Sequence, residues 1–316
     1  LLCNPNVTKV FHAGGQDMEI FLNHIGKLPS PVFDTQIAAM ACGLGDQVGY
    51  DKLVKEMIGN DIDKTSRFTD WSKRPLTNRQ LQYALDDVIF LAKLYPILRA
   101  KLENNERTHW LDDEYAKFCD ESTYVTKPEE AWRKLKIRKM SSPTLLRLIK
   151  LAAWRELEAQ RRDLPRNRII RDETLIDLAG SNPQNSQDFD NIRNFPGGKK
   201  GKMITPIRKV LQETAVSSEK TSTKIGSYDT KTKPPQAIVE LLRVLLKHVT
   251  DEKKIAPKLI AKSGDLEMLA LDDDANIPAL NGWRREIFGD LAIALKKGEI
   301  SLTVRRNRLS IIKVHS

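Results

Sequence analysis

The sequence predicts an α/β unit spanning residues 1–120 followed by two helical units, and three observations carry that prediction. Through residue 120, short apolar runs alternate with helical stretches. Beyond it strand signals nearly vanish and one helical pattern follows another. Residues 216–235, "VSSEKTSTKIGSYDTKTKPP", are rich in Ser, Thr and Lys and poor in apolar side chains, the composition of a flexible linker dividing the helical remainder.

Within the α/β part, "VTKVFHA" (7–13) and "PVFDT" (31–35) read as short buried strands, each followed by a helical stretch, "GQDMEIFLNHI" and "DTQIAAMAC". "YDKLVKEMIG" predicts a helix ending at Gly59, and "NDIDKTSRFTDWSKRPL" a loop. Thr77 is placed to cap a long helix running to about Leu102, with Pro96 alone to bend it. Farther on, Pro128 lies near a helix start in "TKPEEAWRKLK". Ser142 is the expected N-cap of "SSPTLLRLIKLAAWRELEAQRRD", with Pro143 at the first helical position. Shorter helices are expected in "RDETLIDLAG" and "MITPIRKVLQETA" and, past the linker, in "PPQAIVELLRVLLKHV", "APKLIAKSG", "DLEMLAL" and "NGWRREIFGDLAIALKKG". "ISLTVRRNR" closes the chain as a short strand. Both helical parts carry a Trp-Arg pair among apolar neighbours, Trp154-Arg155 and Trp283-Arg284, which suggests a rough internal repeat.

With 40% hydrophobic and 30% charged residues over 316 positions, the chain can bury two or three cores. No apolar run reaches the roughly 18 to 20 residues that span a bilayer, and no basic-then-apolar leader opens the chain, so a cytoplasmic location is the default expectation. Cys3, Cys42 and Cys119 show neither CxxC nor zinc spacing and read as reduced thiols. The net charge of +10 is uneven: residues 1–120 hold 14 Lys and Arg against 17 Asp and Glu, while the remaining 196 hold 38 against 25. A basic part joined to a slightly acidic one suits a polyanion, nucleic acid above all, although helices that simply solvate well give the same count.

In "QYALDDVIFLAKLY" (82–95), a turn of roughly 100° per residue sets Asp86 with Gln82 and Lys93 on a solvated face, and Asp87 beside Tyr83, Leu91 and Leu94. A carboxylate among apolar side chains needs a cation, hydrogen-bond donors or a half-open domain seam. Asp17, in "HAGGQDMEIF", follows a strand at a helix start, where it either complements the helix dipole or adds a second carboxylate at the same sheet edge. Asp17 and Asp87 together suggest a divalent metal, Mg2+ or Mn2+, because such hard ions take oxygen ligands. Two such ions about 4 Å apart stabilise in-line attack on a phosphodiester. Tyr83, one turn from Asp87, can then orient the attacking water.

Other residues join these as binding candidates. His12 is either a substrate contact or a satisfied histidine at a strand end. Lys64, Arg67, Trp71, Lys73 and Arg74 form a basic loop with an aromatic, which either steers and stacks single-stranded RNA or lines a domain seam. Arg155, Arg161, Arg162, Arg166, Arg168, Lys199, Lys200 and Lys202 are candidate phosphate contacts, and Asp34 in "FDTQ" reads as a helix cap.

The segments "VFHAGGQDMEIF", "FDTQIAAM", "DKTSRFTDWSKRPLT" and "YALDD", in this order, strongly resemble ribonuclease D. The helical parts resemble that family's helicase-and-RNase-D C-terminal (HRDC) domains, through "AWRELEAQRRDLPRNRIIRDETLIDLA" and "ALNGWRREIFGDLAIALKKGEI". The resemblance implies an α/β, ribonuclease H-like exonuclease domain over 1–120, incomplete at its N-terminus. Two all-α HRDC-type domains would follow, at 121–215 and 236–316. It also implies a cytoplasmic, monomeric 3′-to-5′ exoribonuclease that releases nucleoside 5′-monophosphates by two-metal hydrolysis. Transfer-RNA precursors and other structured RNA 3′ ends would be its partners, with no membrane involved. The family's second exonuclease motif maps onto Asp17 and its third, Tyr then three residues then Asp, onto Tyr83 and Asp87.

One departure is informative. The first motif, Asp-x-Glu on an early strand, has no counterpart upstream of Asp17, so half of the implied metal ligands and the opening strands are expected to be missing. The Asp-x-Glu strings at Asp17/Glu19, Asp112/Glu114 and Asp265/Glu267 lie on no apolar strand and are rejected as substitutes. A catalytically silent fragment that binds nucleic acid through its HRDC domains is therefore the principal rival, and a DNA 3′-to-5′ exonuclease a second.

Overall fold

Two short strands organise the α/β segment. β1 (Lys9–Phe11) pairs in parallel with β2 (Val32–Asp34), and α1 (Gly15–Ile25) forms the crossover between them. This is the computed structural model of the chain, and it describes residues 1–137, 140–195, 200–218 and 233–314. Two units result: Leu1–Tyr124 with Thr232–Ser316, and Val125–Lys231. Most of the expected linker, residues 219–232, lies outside the described residues.

α2 (Thr35–Ala41) continues directly from β2 because the Asp34 carboxylate caps it, accepting from the backbone N–H of Gln36 and Ile37. The same buried carboxylate accepts from Gly14 N at 2.8 Å, tying the end of the first strand–turn to the start of the second helix. Asp34 is thus the expected cap. α3 (Tyr50–Ile58) stops at Gly59, whose φ of +81° gives the left-handed C-cap. α4 (Asn78–Asn104) opens with a reciprocal capping box between Thr77 and Gln80. Its buried side chains Phe90, Leu94, Leu98 and Leu102 recur every fourth residue and pack on α2 and α3. Fully burying each such side chain stabilises by about 1.5–3 kcal/mol. α5 (Asp112–Phe118) completes this segment.

The second unit packs α6 (Ser142–Arg162), α7 (Arg166–Ile169), α8 (Asp172–Ser181) and α9 (Lys200–Ser218) around Leu148, Leu151, Leu175, Leu178, Phe189 and Ile207. The N-cap of α6 is Ser141 rather than the expected Ser142, because its hydroxyl accepts from Thr144 N; Pro143 is accordingly the second helical residue. The stretch after Pro128 forms a 3-10 turn (Pro128–Lys134) in place of an α-helix.

The C-terminal part of the first unit runs α10 (Gln236–Lys253), α11 (Pro257–Ile260) and α12 (Ser263–Leu271), then a 3-10 turn (Pro278–Leu280). α13 (Gly282–Arg284) passes through a π turn (Arg285–Gly289) into α14 (Asp290–Lys296). Long helix, single-turn helix, shorter helix, 3-10 turn and final helix follow in the same order as in the second unit. The Trp-Arg pairs are not equivalent within that order. Trp154-Arg155 sits on the first helix of its set and Trp283-Arg284 opens the last of the other, so element order carries the likeness. The expected closing strand is a hairpin, β3 (Ile300–Arg305) antiparallel to β4 (Arg308–Lys313).

This C-terminal part docks on the α/β segment. Trp283 stacks on Trp110 with centroids 4.3 Å apart, and Arg107 donates to the carbonyls of Lys253 and Lys254. Gly43, at φ +76°, lets the chain approach the Lys254 carbonyl so closely that a Cβ would stand 2.3 Å from that oxygen. Two of the three rejected Asp-x-Glu strings have structural employment: Glu114 pairs with Arg284, and Asp265 accepts from Lys262 N at the start of α12. All three cysteines are free, and burial pushes the Cys42 thiol up to about 11. No described helix is long and apolar enough to cross a membrane.

Candidate active site

The site is assembled by the end of β1, the first turn of α1, the loop after α3 and the first half of α4. Between them lies an open cleft of ≈ 680 Å³ lined by His12, Asp17, Lys64, Arg67, Tyr83 and Asp87, all singled out in the sequence. Trp71 sets its ring against Tyr83 at 5.9 Å and 53°, so the aromatic of the basic loop lies beside the cleft as well.

Helical period separates the two neighbouring aspartates, but their burial is the reverse of the expectation. Asp86 accepts from the Gln82 amide at 2.8 Å and is half-buried, whereas Asp87 lines the cleft with Leu91 and is exposed, because the cleft is open. The Asp87 carboxyl is raised above its ordinary range, first by desolvation and then by the Asp86 charge, and no described cation pairs with it. Its side chain stays open to solvent, so the rise describes local crowding and carries no stability claim. Desolvation and then Asp87 raise the Tyr83 phenol, against the opposing charges of Arg67 and Lys64. It therefore keeps its proton at neutral pH and can both donate and accept.

His12 is held from one side. Thr35 Oγ1 donates to Phe11 O at 3.0 Å, so the His12 Nδ1–H donates in turn to Thr35 Oγ1 at 2.9 Å. The buried Nε2 has no hydrogen-bond partner. Burial pulls the His12 pKa below the ordinary value, with the Asp34 charge, the Val48 carbonyl and the Asp51 charge acting the other way. The histidine is thus half satisfied, with its second nitrogen buried.

Three residues of this neighbourhood escaped sequence reasoning. The Tyr50 hydroxyl donates to Asp87 O at 2.7 Å and approaches Asp86 O, pinning this turn of α4 to α3. Its phenol is pushed well up by burial and then by Asp87. Asp51 pairs with Lys64 at 2.6 Å, and that bond is the main reason its carboxyl lies below the ordinary range. Phe68 is 89% exposed next to Arg67, whose guanidinium lies 5.1 Å from the ring centroid. An aromatic in a basic loop was the available signal for Phe68; Tyr50 offered none.

The candidate phosphate contacts of the second unit fare unequally. Arg155 is corrected: it is 3% exposed and donates to Ile170 O and the Asp172 carboxylate, so its charge is spent inside the fold. Arg161 and Arg162 both bond Glu158, with Arg161 remaining exposed. Arg166 pairs with Glu156, while Arg168 and Lys202 are exposed. Lys199 and the side chain of Lys200 lie outside the described residues.

As a donor set, Asp17 and Asp87 offer carboxylate oxygens on an open cleft, the kind of ligand that a hydrated divalent ion takes together with substrate phosphates. Among the described residues no group of three or more His, Cys, Asp and Glu is arranged to hold a metal. The residues present therefore fit one such ion in kind, and a two-ion centre asks for more carboxylates than these.

Residues 1–103 match the 3′-5′ exonuclease family model, and residues 145–211 the HRDC domain model. The ribonuclease D of Acidiphilium cryptum is 43% identical over 316 residues, covering 99% of this chain and 80% of that protein. That of Granulibacter bethesdensis is 42% identical with the same coverage. The crystal structure of Escherichia coli RNase D, an exoribonuclease involved in structured RNA processing, superposes with a TM-score of 0.80 at 29% identity, over 94% of this chain and 81% of that one. With such relatives along nearly its whole length, the chain belongs to the ribonuclease D family.

Proposed function

We propose that the chain is a 3′-to-5′ exoribonuclease that hydrolyses RNA 3′ ends to nucleoside 5′-monophosphates with the help of Mg2+ or Mn2+. The observation that carries this reading is the meeting of Asp17, Tyr83 and Asp87 in one cleft with Lys64 and Arg67. Carboxylates alone would repel a phosphodiester. Arg67 offsets that repulsion, Lys64 being paired with Asp51, and an open cleft admits a strand terminus. Asp17 and Asp87 would hold the metal, which when bound supplies Lewis-acid activation of water and phosphate. The neutral Tyr83 hydroxyl positions the attacking water, Tyr50 fixes the turn of α4 that carries Asp87, and Trp71 and Phe68 offer faces on which bases stack. A monomer trimming transfer-RNA precursors and other structured RNA 3′ ends is the more specific form of the proposal, with two-metal chemistry its most demanding version.

A second reading is favoured by the sparse donor set: a chain that binds nucleic acid through its helical units without cleaving it. One pair of measurements separates the two. 5′-labelled single-stranded RNA shortened stepwise from its 3′ end in Mg2+ or Mn2+ supports the exoribonuclease. Salt-sensitive RNA binding without metal-dependent shortening supports the silent binder. Equal shortening of DNA would favour a DNA exonuclease.

A further inference from the structure

The hairpin of β3 and β4 is built against its own stability. Arg305 and Arg308 face each other directly across the last rung, where like charges repel. The two residues between them, Arg306 and Asn307, have φ of +48° and +60°, the pattern of a two-residue primed turn. Glycine and asparagine suit that turn; an arginine in its first position is strained. Among the described residues no carboxylate lies within ion-pair distance of Arg305, Arg306 or Arg308, and all three are exposed.

Strand alternation gives this charge a face. Leu302 and Ile311, an opposed pair, pack on the C-terminal core. Ser301, Thr303, Arg305, Arg308, Ser310 and Ile312 therefore share the opposite side, which offers guanidinium forks and hydroxyls towards the tip, an isoleucine at its far end and no carboxylate. Beside it, Arg308 also lines an open groove with Arg243 and Lys247 of α10, although Asp251 and Glu252 line the same groove and keep it mixed in charge. The concentrated, unpaired charge is at the hairpin tip, not in the groove.

We propose that this hairpin tip is a phosphodiester-binding surface that holds the base-paired body of an RNA whose 3′ end enters the cleft. The proposal rests on the RNA reading given above. Guanidinium forks match phosphate oxygens bidentately, and hydroxyls add neutral contacts to the same backbone. No residue of the hairpin lines the catalytic cleft, so the hairpin serves the body of the substrate and not the reacting terminus. An acidic protein segment would also meet the charge, but planar forks and a hydroxyl row favour a repeating phosphate chain.

The test uses the whole chain in EDTA, with fluorescence anisotropy on two probes: a stem-loop RNA with a single-stranded 3′ tail, and the tail alone. In the triple variant Arg305→Gln, Arg306→Gln, Arg308→Gln, stem-loop affinity should fall about tenfold or more, and the log–log salt slope should become shallower by about 2 to 3, one step per lost phosphate contact. Tail-only affinity should be unchanged. A triple variant that binds the stem-loop like wild type, with the same slope, overturns the proposal while leaving the RNA reading intact. Wild-type protein that binds neither probe overturns both. Competition by oligoglutamate as strong as that by stem-loop RNA overturns RNA as the occupant. Arg306→Gly separates binding from folding: relief of the strained turn should raise Tm while stem-loop affinity falls. A fall in both would make the arginine a structural residue and sink the proposal.

Discussion

The buried Arg284 guanidinium bonds Glu114 at 2.7 Å and Asp113 at 3.1 Å, joining the C-terminal helices to α5 of the α/β segment. The same side chain donates to Leu259 O at 2.8 Å and lies 4.6 Å from the Trp283 ring centroid, so one residue fastens three elements. Arg284→Ala would leave a buried carbonyl and a partly buried carboxylate without a donor, at a cost of about 3 kcal/mol. Arg284→Met keeps the apolar stem's packing and should cost less. Urea unfolding of both variants checks the order, and equal stability of wild type and Arg284→Ala would show the junction to be incidental.

Acid should loosen the second unit through Glu158. Hydrogen bonds from Arg161, then from Arg162, hold its carboxyl at about 2, against burial acting the other way, whereas the ordinary value is 4.5. A lowered folded-state pKa means stability that is present above pH 4.5 and lost as pH falls towards 2. Arg161 is 68% exposed, so solvent screening limits the contribution to about 1 kcal/mol. Glu158→Gln should flatten the dependence of urea midpoint on pH over this window and leave the midpoint above pH 5 lower than wild type by a constant amount.

Phe68 exposes its ring on the loop whose Lys64 and Arg67 line the cleft. Base stacking on an exposed aromatic contributes about 1–3 kcal/mol per base. Phe68→Ala should therefore weaken single-stranded RNA binding by about fivefold to a hundredfold, while Tm stays within about a degree because so little of the ring is buried. Unchanged affinity by anisotropy would remove Phe68 from the substrate path.

Much of the site was legible because its signals are local. Tyr83 and Asp87 are brought to one side by helical period alone, and Thr77 announces the start of α4 as its cap. What escaped depends on partners far along the chain. Tyr50 matters through carbonyls 36 and 37 residues away, and Arg155 looked like a surface cation until Asp172 and Ile170 O closed around it. The docking of the C-terminal helices on the α/β segment rests on Trp110–Trp283 and Arg284–Glu114, pairs about which period says nothing. The closing hairpin was missed for a different reason. Its turn carries Arg306-Asn307 where a glycine would have been the sign, and the substitution hides the turn in a basic run.

Asp87, which lines one cleft with Tyr83 and Asp17, is proposed as a metal-holding catalytic carboxylate. The direct measurement compares wild type with Asp87→Ala for Mn2+ binding by titration calorimetry and for shortening of 5′-labelled RNA in Mn2+, with circular dichroism confirming an intact fold. The variant is expected to lose Mn2+ binding and nearly all shortening at unchanged helicity. Full 3′-to-5′ shortening by Asp87→Ala would contradict that role.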